Sequence, residues 1–332
     1  MSRAPSLNDA PVSAPPLETT TEQDAVLYGV HHSPWVEGIR LAMAHHGLRP
    51  RLTSHPHSLG WIWKRGLVFP ALRLSDGTIH VDSFSIYGLL EDRGYPLGVE
   101  AMPPKARESA QYKLERLFLN YAPGRCIHGR RWRFIQGWSQ IPEAPYSTRG
   151  AISRGFVSLY FFVLIRLGIR RAQAQGRPVY DLARIEQHLQ GWNEQLATAR
   201  WLTGEEPGFL DFALLGHIQC MASGLTEELL PILRRQNHLL EWLARMLAKV
   251  DGTPHLHARR VLEPTAVSIH AGPVDRRWFW FAWVLAVCAW PLTGLVLVVL
   301  LARRNRNPGH SGAVVARRIR QTTGSRERSP SR

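Results

Sequence analysis

The sequence predicts an α/β domain, then an all-helical domain, then one transmembrane helix near the C-terminus. Short apolar stretches alternate with helical patterns at 25–98, whereas only helical periods occur at 99–255. An uncharged stretch of 25 residues follows at 278–302. A Pro- and Ser-rich leader at 1–24 and a basic tail at 303–332 are predicted to be disordered, and residues 256–277 are predicted to be a linker.

Strands and helices of the first domain follow from apolar spacing and from turn residues. An apolar run at 25–30 predicts a buried strand, and the helical spacing of apolar residues predicts a helix at 34–47. A second strand is predicted at 51–54. Alternating apolar positions on both sides of Asp76-Gly77 predict a hairpin at 71–82, and a closing helix follows at 83–93. A βαβ unit followed by a ββα unit is the thioredoxin-like arrangement.

The second domain shows only helical periodicity. Its predicted helices lie at 105–121, 151–175, 181–199, 209–223 and 225–250.

Residues 278–302 have the length and composition of a transmembrane helix. At 1.5 Å per residue the stretch crosses roughly 30 Å of hydrocarbon, and it has no polar face that would suit the core of a soluble domain. Arginine pairs flank it and an aromatic belt marks its beginning, at Arg276, Arg277, Arg303, Arg304, Trp278, Trp280 and Trp283. Pro291 and Gly294 leave a kinked or re-entrant hairpin as an alternative.

Charge and cysteine usage narrow the functional classes. The tail holds nine arginines against Glu327, a net +8 of the total +15, so the charge does not indicate a nucleic-acid surface. Three separated cysteines support neither a disulfide framework nor zinc, and the histidine pairs lack metal-ligand spacing, so no metal site is predicted. Because 1–24 has no signal peptide, we expect a single-pass membrane protein with a cytoplasmic globular part. The side of the membrane that holds the tail is left open.

Residues 28–48 carry a motif at the start of the first helix. Ser33, Pro34, Trp35 and Arg40 resemble the serine-type signature of the glutathione S-transferase superfamily. The resemblance implies that Ser33 is catalytic and stabilises a glutathione thiolate. A hydroxyl at a helix N-terminus can donate to an anion that the helix dipole also favours, although a plain N-cap is the alternative.

Further matches to the same superfamily follow in both domains. Phe69-Pro70 is similar to the family's Val-Pro pair, in which a cis proline lets the preceding backbone pair with glutathione. Asp82-Ser83 resembles the pair that holds the γ-glutamyl group, and Asp211 resembles a structural aspartate at the start of a buried helix. The family usually has Ser or Thr three positions before that aspartate, where this sequence has Gly208.

Two functions are compatible with these patterns. The first is a membrane-anchored glutathione S-transferase with glutathione as co-substrate. Its other partners would be an apolar small-molecule electrophile and membrane lipid. Whether the chain is an enzyme is left open, with the transferase favoured. The second is an inactive adaptor or membrane-assembly factor with the same fold and an altered pocket, with which bulky Phe69 and the Trp-rich insert at 58–66 are consistent. Residues 164–178 also resemble the metaxin-like and Fax-like branches of the superfamily. A homodimer is left open.

Overall fold

The computed structural model describes most of the chain between residues 25 and 299. The described residues are 25–29, 33–53, 70–122, 135–136, 138–139, 148–176, 179–223, 226–264, 272–292, 294–296 and 298–299. The predicted leader and tail, and Phe69 of the predicted site, lie outside them.

A four-stranded mixed sheet forms the first domain. Strands β1 (Val26–Tyr28), β2 (Arg51–Thr53), β3 (Ala71–Arg73) and β4 (Ile79–Val81) lie in the order β2-β1-β3-β4. β1 and β2 are parallel, while β3 runs antiparallel to both β1 and β4. Helix α1 (Pro34–His45) connects β1 to β2, and α2 (Ser83–Asp92) follows β4. The predicted thioredoxin-like arrangement is therefore confirmed.

The hairpin between β3 and β4 closes at the predicted Asp-Gly turn. Asp76 accepts hydrogen bonds from the backbone N–H and the hydroxyl of Thr78, at 2.8 and 2.7 Å. Gly77 has a φ of +82°, which a residue with a Cβ atom adopts only at a cost. The turn residues therefore determine the register of the two strands.

The second domain is entirely helical within the described residues. It contains α3 (Pro104–Tyr121), α4 (Thr148–Ala174), α5 (Leu182–Thr198), α6 (Phe209–Met221), α7 (Leu230–Arg234) and α8 (Asn237–Lys249). The helix predicted at 225–250 is divided into a 3₁₀ turn (Glu227–Leu229), α7 and α8. α8 begins after Gln236, and Asn193 on α5 accepts a hydrogen bond from the backbone N–H of Leu239 in its first turn at 3.1 Å.

Helix α6 joins the two domains by crossing α1 at close range. A Cβ atom on Gly216 would lie 2.2 Å from the carbonyl oxygen of Pro34 and 2.6 Å from the backbone nitrogen of Gly38. A Cβ atom on Gly38 would lie 2.9 Å from the carbonyl oxygen of Phe212. The two helix backbones are thus in direct contact, and one buried apolar cluster extends from the sheet through α1 and α6 into α8.

The C-terminal part departs from the single transmembrane helix that the sequence predicts. The predicted linker contains α9 (Arg259–Leu262) and the first residues of α10 (Pro273–Cys288). A short helix, Trp290–Val296, follows α10 at a bend of 70° near Pro291. Within the described residues no single helix is long and apolar enough to cross a membrane, but these two together meet the requirement of length and composition.

Candidate functional site

The sheet topology brings the predicted site residues to one edge. The last residue of β1, Tyr28, is paired with Ala71 at the beginning of β3, and Ala71 is paired with Val81 at the end of β4. Pro70 directly precedes β3, Asp82 directly follows β4, and Ser33 directly precedes α1, the helix that follows β1. The thioredoxin-like order therefore gathers residues that are about fifty positions apart in the sequence.

Ser33 stands at the N-terminus of α1 as its cap residue. Its backbone is extended, with φ −94° and ψ 117°, and its carbonyl oxygen accepts the first helical hydrogen bond from the N–H of Glu37 at 2.9 Å. Its hydroxyl makes no capping hydrogen bond in the described structure. Capping would use the hydroxyl oxygen only as an acceptor, so the O–H group of Ser33 can donate to a ligand.

Asp82 has a strained backbone at the beginning of α2. Its φ of 77° and ψ of 133° lie in a region that residues with a Cβ atom rarely occupy. Such a conformation costs about 1–3 kcal/mol, and such residues cluster at active sites and ligand clamps. The Asp82 N–H donates to the carbonyl oxygen of Pro70 at 3.2 Å, which holds the two predicted site residues together.

The Asp82 carboxylate lies against the first turn of its own helix. It accepts from the backbone N–H of Ser85 at 3.2 Å and from the Ser85 hydroxyl at 3.3 Å. Burial raises the pKa of the Asp82 carboxyl above its ordinary value, although the hydrogen bonds from the first turn of α2 oppose that rise. Ser83, the first residue of α2, is buried beside it.

The N-terminal turns of α1 and α2 lie next to each other. The rings of Trp35 on α1 and Phe84 on α2 have their centroids 6.4 Å apart. Both helices thus direct their first N–H groups and the positive ends of their dipoles toward the same edge of the sheet. This arrangement favours a ligand with negatively charged groups.

Arg40, the last member of the sequence motif, has a structural contact instead. It is buried in an ion pair with Glu37 at 2.7 Å, and it also donates to the carbonyl oxygen of Pro254 at 3.2 Å. Through this contact α1 is attached to the segment that follows α8. Arg40 therefore stabilises the packing of the two domains.

Asp211 has the structural environment that the family resemblance implies. Its carboxylate accepts from the backbone N–H groups of Leu202 and Gly208, from the Thr203 hydroxyl and from the Trp242 indole, at 2.8–3.1 Å. Gly208 offers no hydroxyl in return, and Thr203 supplies one from the preceding loop. The carboxylate thus organises the start of α6 at its contact with α8.

His217, which no sequence motif indicated, lies close to Trp35 of the motif. It is fully buried on α6, and its ring meets Trp35 edge-on with centroids 4.8 Å apart. Its Nδ1 atom lies 2.8 Å from the carbonyl oxygen of Ala213. A histidine in a helix that is otherwise almost entirely apolar is the sequence signal that would have drawn attention to it. Among the described residues no group of three or more His, Cys, Asp or Glu side chains could hold a metal ion.

Solved structures of glutathione S-transferases are similar to this chain at low identity. An enzyme from Rhodospirillum rubrum is 18% identical, and the match covers 76% of this chain and 99% of that chain with a TM-score of 0.43. One from Methylobacillus flagellatus, solved with glutathione bound, is 16% identical over 72% of this chain and 98% of that chain, with a TM-score of 0.42. Glutaredoxin 2 from Salmonella typhimurium, in complex with glutathione, is 14% identical over 71% and 98%, with a TM-score of 0.43.

No protein-family model and no curated protein matches the sequence. The fold itself is defined by the sheet order and by the all-helical second domain described above.

Proposed function

We propose that this chain binds glutathione in a site formed by Ser33, Pro70, Asp82 and Ser83. The site lies at the edge of the sheet where β1 and β4 end. The observation that carries the proposal is the strained Asp82, held between Pro70 and the N-terminus of α2. The Asp82 carboxylate would bind the γ-glutamyl ammonium group, and the N-terminal turn of α2 would bind the γ-glutamyl carboxylate. Phe69, which lies outside the described residues, would pair its backbone with the cysteinyl part of glutathione.

The proposed chemistry is thiolate stabilisation by Ser33. The Ser33 hydroxyl donates to the sulfur, the thiol proton leaves to solvent, and the α1 dipole favours the resulting negative charge. Lowering a thiol pKa of about 8.5 by about two units corresponds to roughly 2.7 kcal/mol of preferential thiolate stabilisation. The thiolate then attacks an apolar electrophile, forming a carbon–sulfur bond as the leaving group departs.

The apolar C-terminal segment is part of the same proposal. The uncharged residues 278–302 and the exposed Arg276 and Arg277 before them support attachment to a membrane. The proposal includes a cytoplasmic globular part, which the arginine distribution does not support. Apolar electrophiles concentrate in bilayers, so membrane attachment would keep the site close to its second substrate.

The test is glutathione binding by calorimetry to the full-length protein in detergent micelles. We expect affinity in the micromolar to low millimolar range, weakened at least about tenfold by Asp82→Ala through loss of a charge-assisted contact. Asp181 caps α5 with the same kind of side-chain contact, so Asp181→Ala is the matched control and should bind normally. Absence of binding by the folded wild-type protein would refute the proposal.

Ser33→Ala separates binding from chemistry. We expect it to bind glutathione with nearly unchanged affinity but to raise the pKa of the bound thiol, measured from the thiolate absorbance as a function of pH. Conjugation of glutathione to chlorodinitrobenzene should fall in parallel. An unchanged thiol pKa would exclude Ser33 as the stabilising group.

One observation favours the adaptor as a second candidate. The Asp82 carboxylate already accepts two hydrogen bonds from Ser85, so a ligand would have to share it. A folded protein that binds glutathione weakly or not at all, and shows no conjugation, would support this alternative.

A further inference from the structure

Helix α10 is docked on α4 through a contact that only glycine permits. A Cβ atom on Gly155 of α4 would lie 2.6 Å from the carbonyl oxygen of Phe279, 2.9 Å from the Ala282 Cβ atom and 3.1 Å from the backbone nitrogen of Trp283. The α10 side of this contact is fully buried at Phe279, Ala282 and Ala286. Close backbone approach over small residues also occurs between α1 and α6, and it is the packing that helices commonly use inside membranes.

A charged side chain is enclosed at the same contact. Arg154 is only 1% exposed, and its guanidinium carbon lies 5.9 Å from the centroid of the Phe279 ring. A cation over an aromatic face is stabilised by the ring quadrupole, most strongly where water is excluded. Charged residues of membrane-embedded helices face protein in this way rather than lipid.

The opposite side of α10 is apolar and exposed. Phe281 is 59% exposed and Val284 52%, and Trp278, Leu285 and Val287 are also exposed. A helix that is apolar on every side suits a protein core or a bilayer, and docking on α4 covers only one side. A helix stored against α4 for stability in water would instead present polar residues outward.

We infer that α4 and α10 enter the lipid bilayer as one docked pair, with the exposed face of α10 against acyl chains. Helix α10 alone is 16 residues, about 24 Å, which is shorter than the roughly 30 Å of hydrocarbon. Helix α10 by itself therefore does not cross the bilayer. The exposed arginines before Trp278 lie where anionic headgroups would bind them. The helical domain would then lie directly on the membrane instead of being tethered by a flexible linker. The inference rests on the proposed membrane attachment.

The experiment measures lipid contact on both helices of the full-length protein. A fluorophore is attached to a cysteine that replaces Phe281 on α10, Phe156 on α4 or, as a water-exposed reference, Glu241 on α8, with Cys126 and Cys288 changed to serine. Phe156 follows Gly155 and is rotated about 100° from it, so it lies beside the contact. The protein is reconstituted in phosphatidylcholine–phosphatidylglycerol vesicles whose acyl chains carry bromine as a quencher.

We expect bromine to quench the labels at Phe281 and Phe156 strongly and the label at Glu241 little. Gly155→Leu should separate the helices. Quenching of the label at Phe156 should then fall to the quenching seen at Glu241, while the label at Phe281 stays strongly quenched. Gly191→Leu is the matched control, because a Cβ atom on this glycine of α5 would have nothing within 4 Å. It should leave all three labels unchanged.

Two other results would overturn the inference in different ways. Quenching at Phe281 with the Glu241 level at Phe156, in the protein without Gly155→Leu, would mean that α10 enters lipid without α4; attachment would stand and the docked pair would not. No quenching at either helix, with the protein in solution or as a dimer that covers α10, would refute membrane attachment as well.

Discussion

Replacing Asp82 with glycine should stabilise the fold while abolishing the proposed binding. Glycine adopts a φ of 77° without the strain of about 1–3 kcal/mol that aspartate bears there. Loss of the cap costs a few tenths of a kcal/mol when glycine is the replacement, and the greater freedom of the unfolded chain costs about 0.5–1 kcal/mol. We therefore expect Asp82→Gly to raise the free energy of unfolding by about 1 kcal/mol.

Asp181→Gly isolates the strain because it repeats the change at an unstrained cap. Asp181 has a φ of −106° and accepts from the N–H groups of Ala183 and Arg184 at 3.0 and 3.4 Å. Replacing Asp181 with glycine removes the cap and increases the freedom of the unfolded chain, and it relieves no backbone strain. We therefore expect the free energy of unfolding to fall by about 1 kcal/mol. The difference of about 2 kcal/mol between the two variants is the strain at Asp82.

Urea unfolding of the full-length protein in a fixed concentration of detergent, followed by tryptophan fluorescence, measures both values. Equal destabilisation by Asp82→Gly and Asp181→Gly would show that the backbone at Asp82 stores no strain. Calorimetry on the same samples should show that Asp82→Gly loses glutathione binding. If Asp82→Gly is more stable but binds glutathione with unchanged affinity, the backbone at Asp82 is strained but Asp82 does not belong to the glutathione site.

Three further changes test the packing of the two domains and the pH dependence. Gly216→Ala places a Cβ atom 2.2 Å from the carbonyl oxygen of Pro34, so unfolding in urea should show a loss of about 1–3 kcal/mol, whereas Gly191→Ala should not destabilise. Asp211→Ala leaves buried donors without their acceptor and should cost at least about 3 kcal/mol; a loss below about 1 kcal/mol would contradict the network. Burial, with a smaller contribution from His45, lowers the pKa of His46 from 6.5 to about 4. As pH falls, the unfolded chain therefore binds the proton before the folded protein does, so the free energy of unfolding should decrease from pH 6.5 to pH 4. His46→Phe should remove about 1 kcal/mol of that decline, after allowance for solvent screening, in unfolding curves measured across this range; an unchanged slope would exclude His46 as its source.

Local sequence signals predicted the elements of the α/β domain to within a few residues. The Ser33-Pro34 and Asp82-Ser83 pairs marked the beginnings of α1 and α2, and Asp76-Gly77 marked the hairpin. These signals succeed because caps and turns act through hydrogen bonds within a few residues. The single helix predicted at 225–250 was wrong, because Pro231 stands at the start of a separate helix there and the first turn of α8 is capped by Asn193, which is distant in sequence.

The position of the candidate site was only partly predictable. The residue types of Ser33, Pro70 and Asp82 indicated it, but the strained φ of Asp82 and its bond to Pro70 result from strand pairing that local patterns do not specify. Arg40 belonged to the same motif, yet its guanidinium pairs with Glu37 and reaches the segment after α8. Sequence proximity to a motif therefore did not determine the side chain's role.

The sequence by itself determined the order of elements, the helix starts and turns, and the uncharged segment before the basic tail, because each depends on neighbouring residues and their periodicity. Only the tertiary structure decided that Gly38 and Gly216 allow α1 and α6 to touch, that Gly155 receives α10, and that Asp82 is strained. Those features depend on distances between backbones far apart in sequence. The sequence shows only a glycine, whether a Cβ atom at that position would meet another helix or open space. The helix packed against it determines whether glycine is required there.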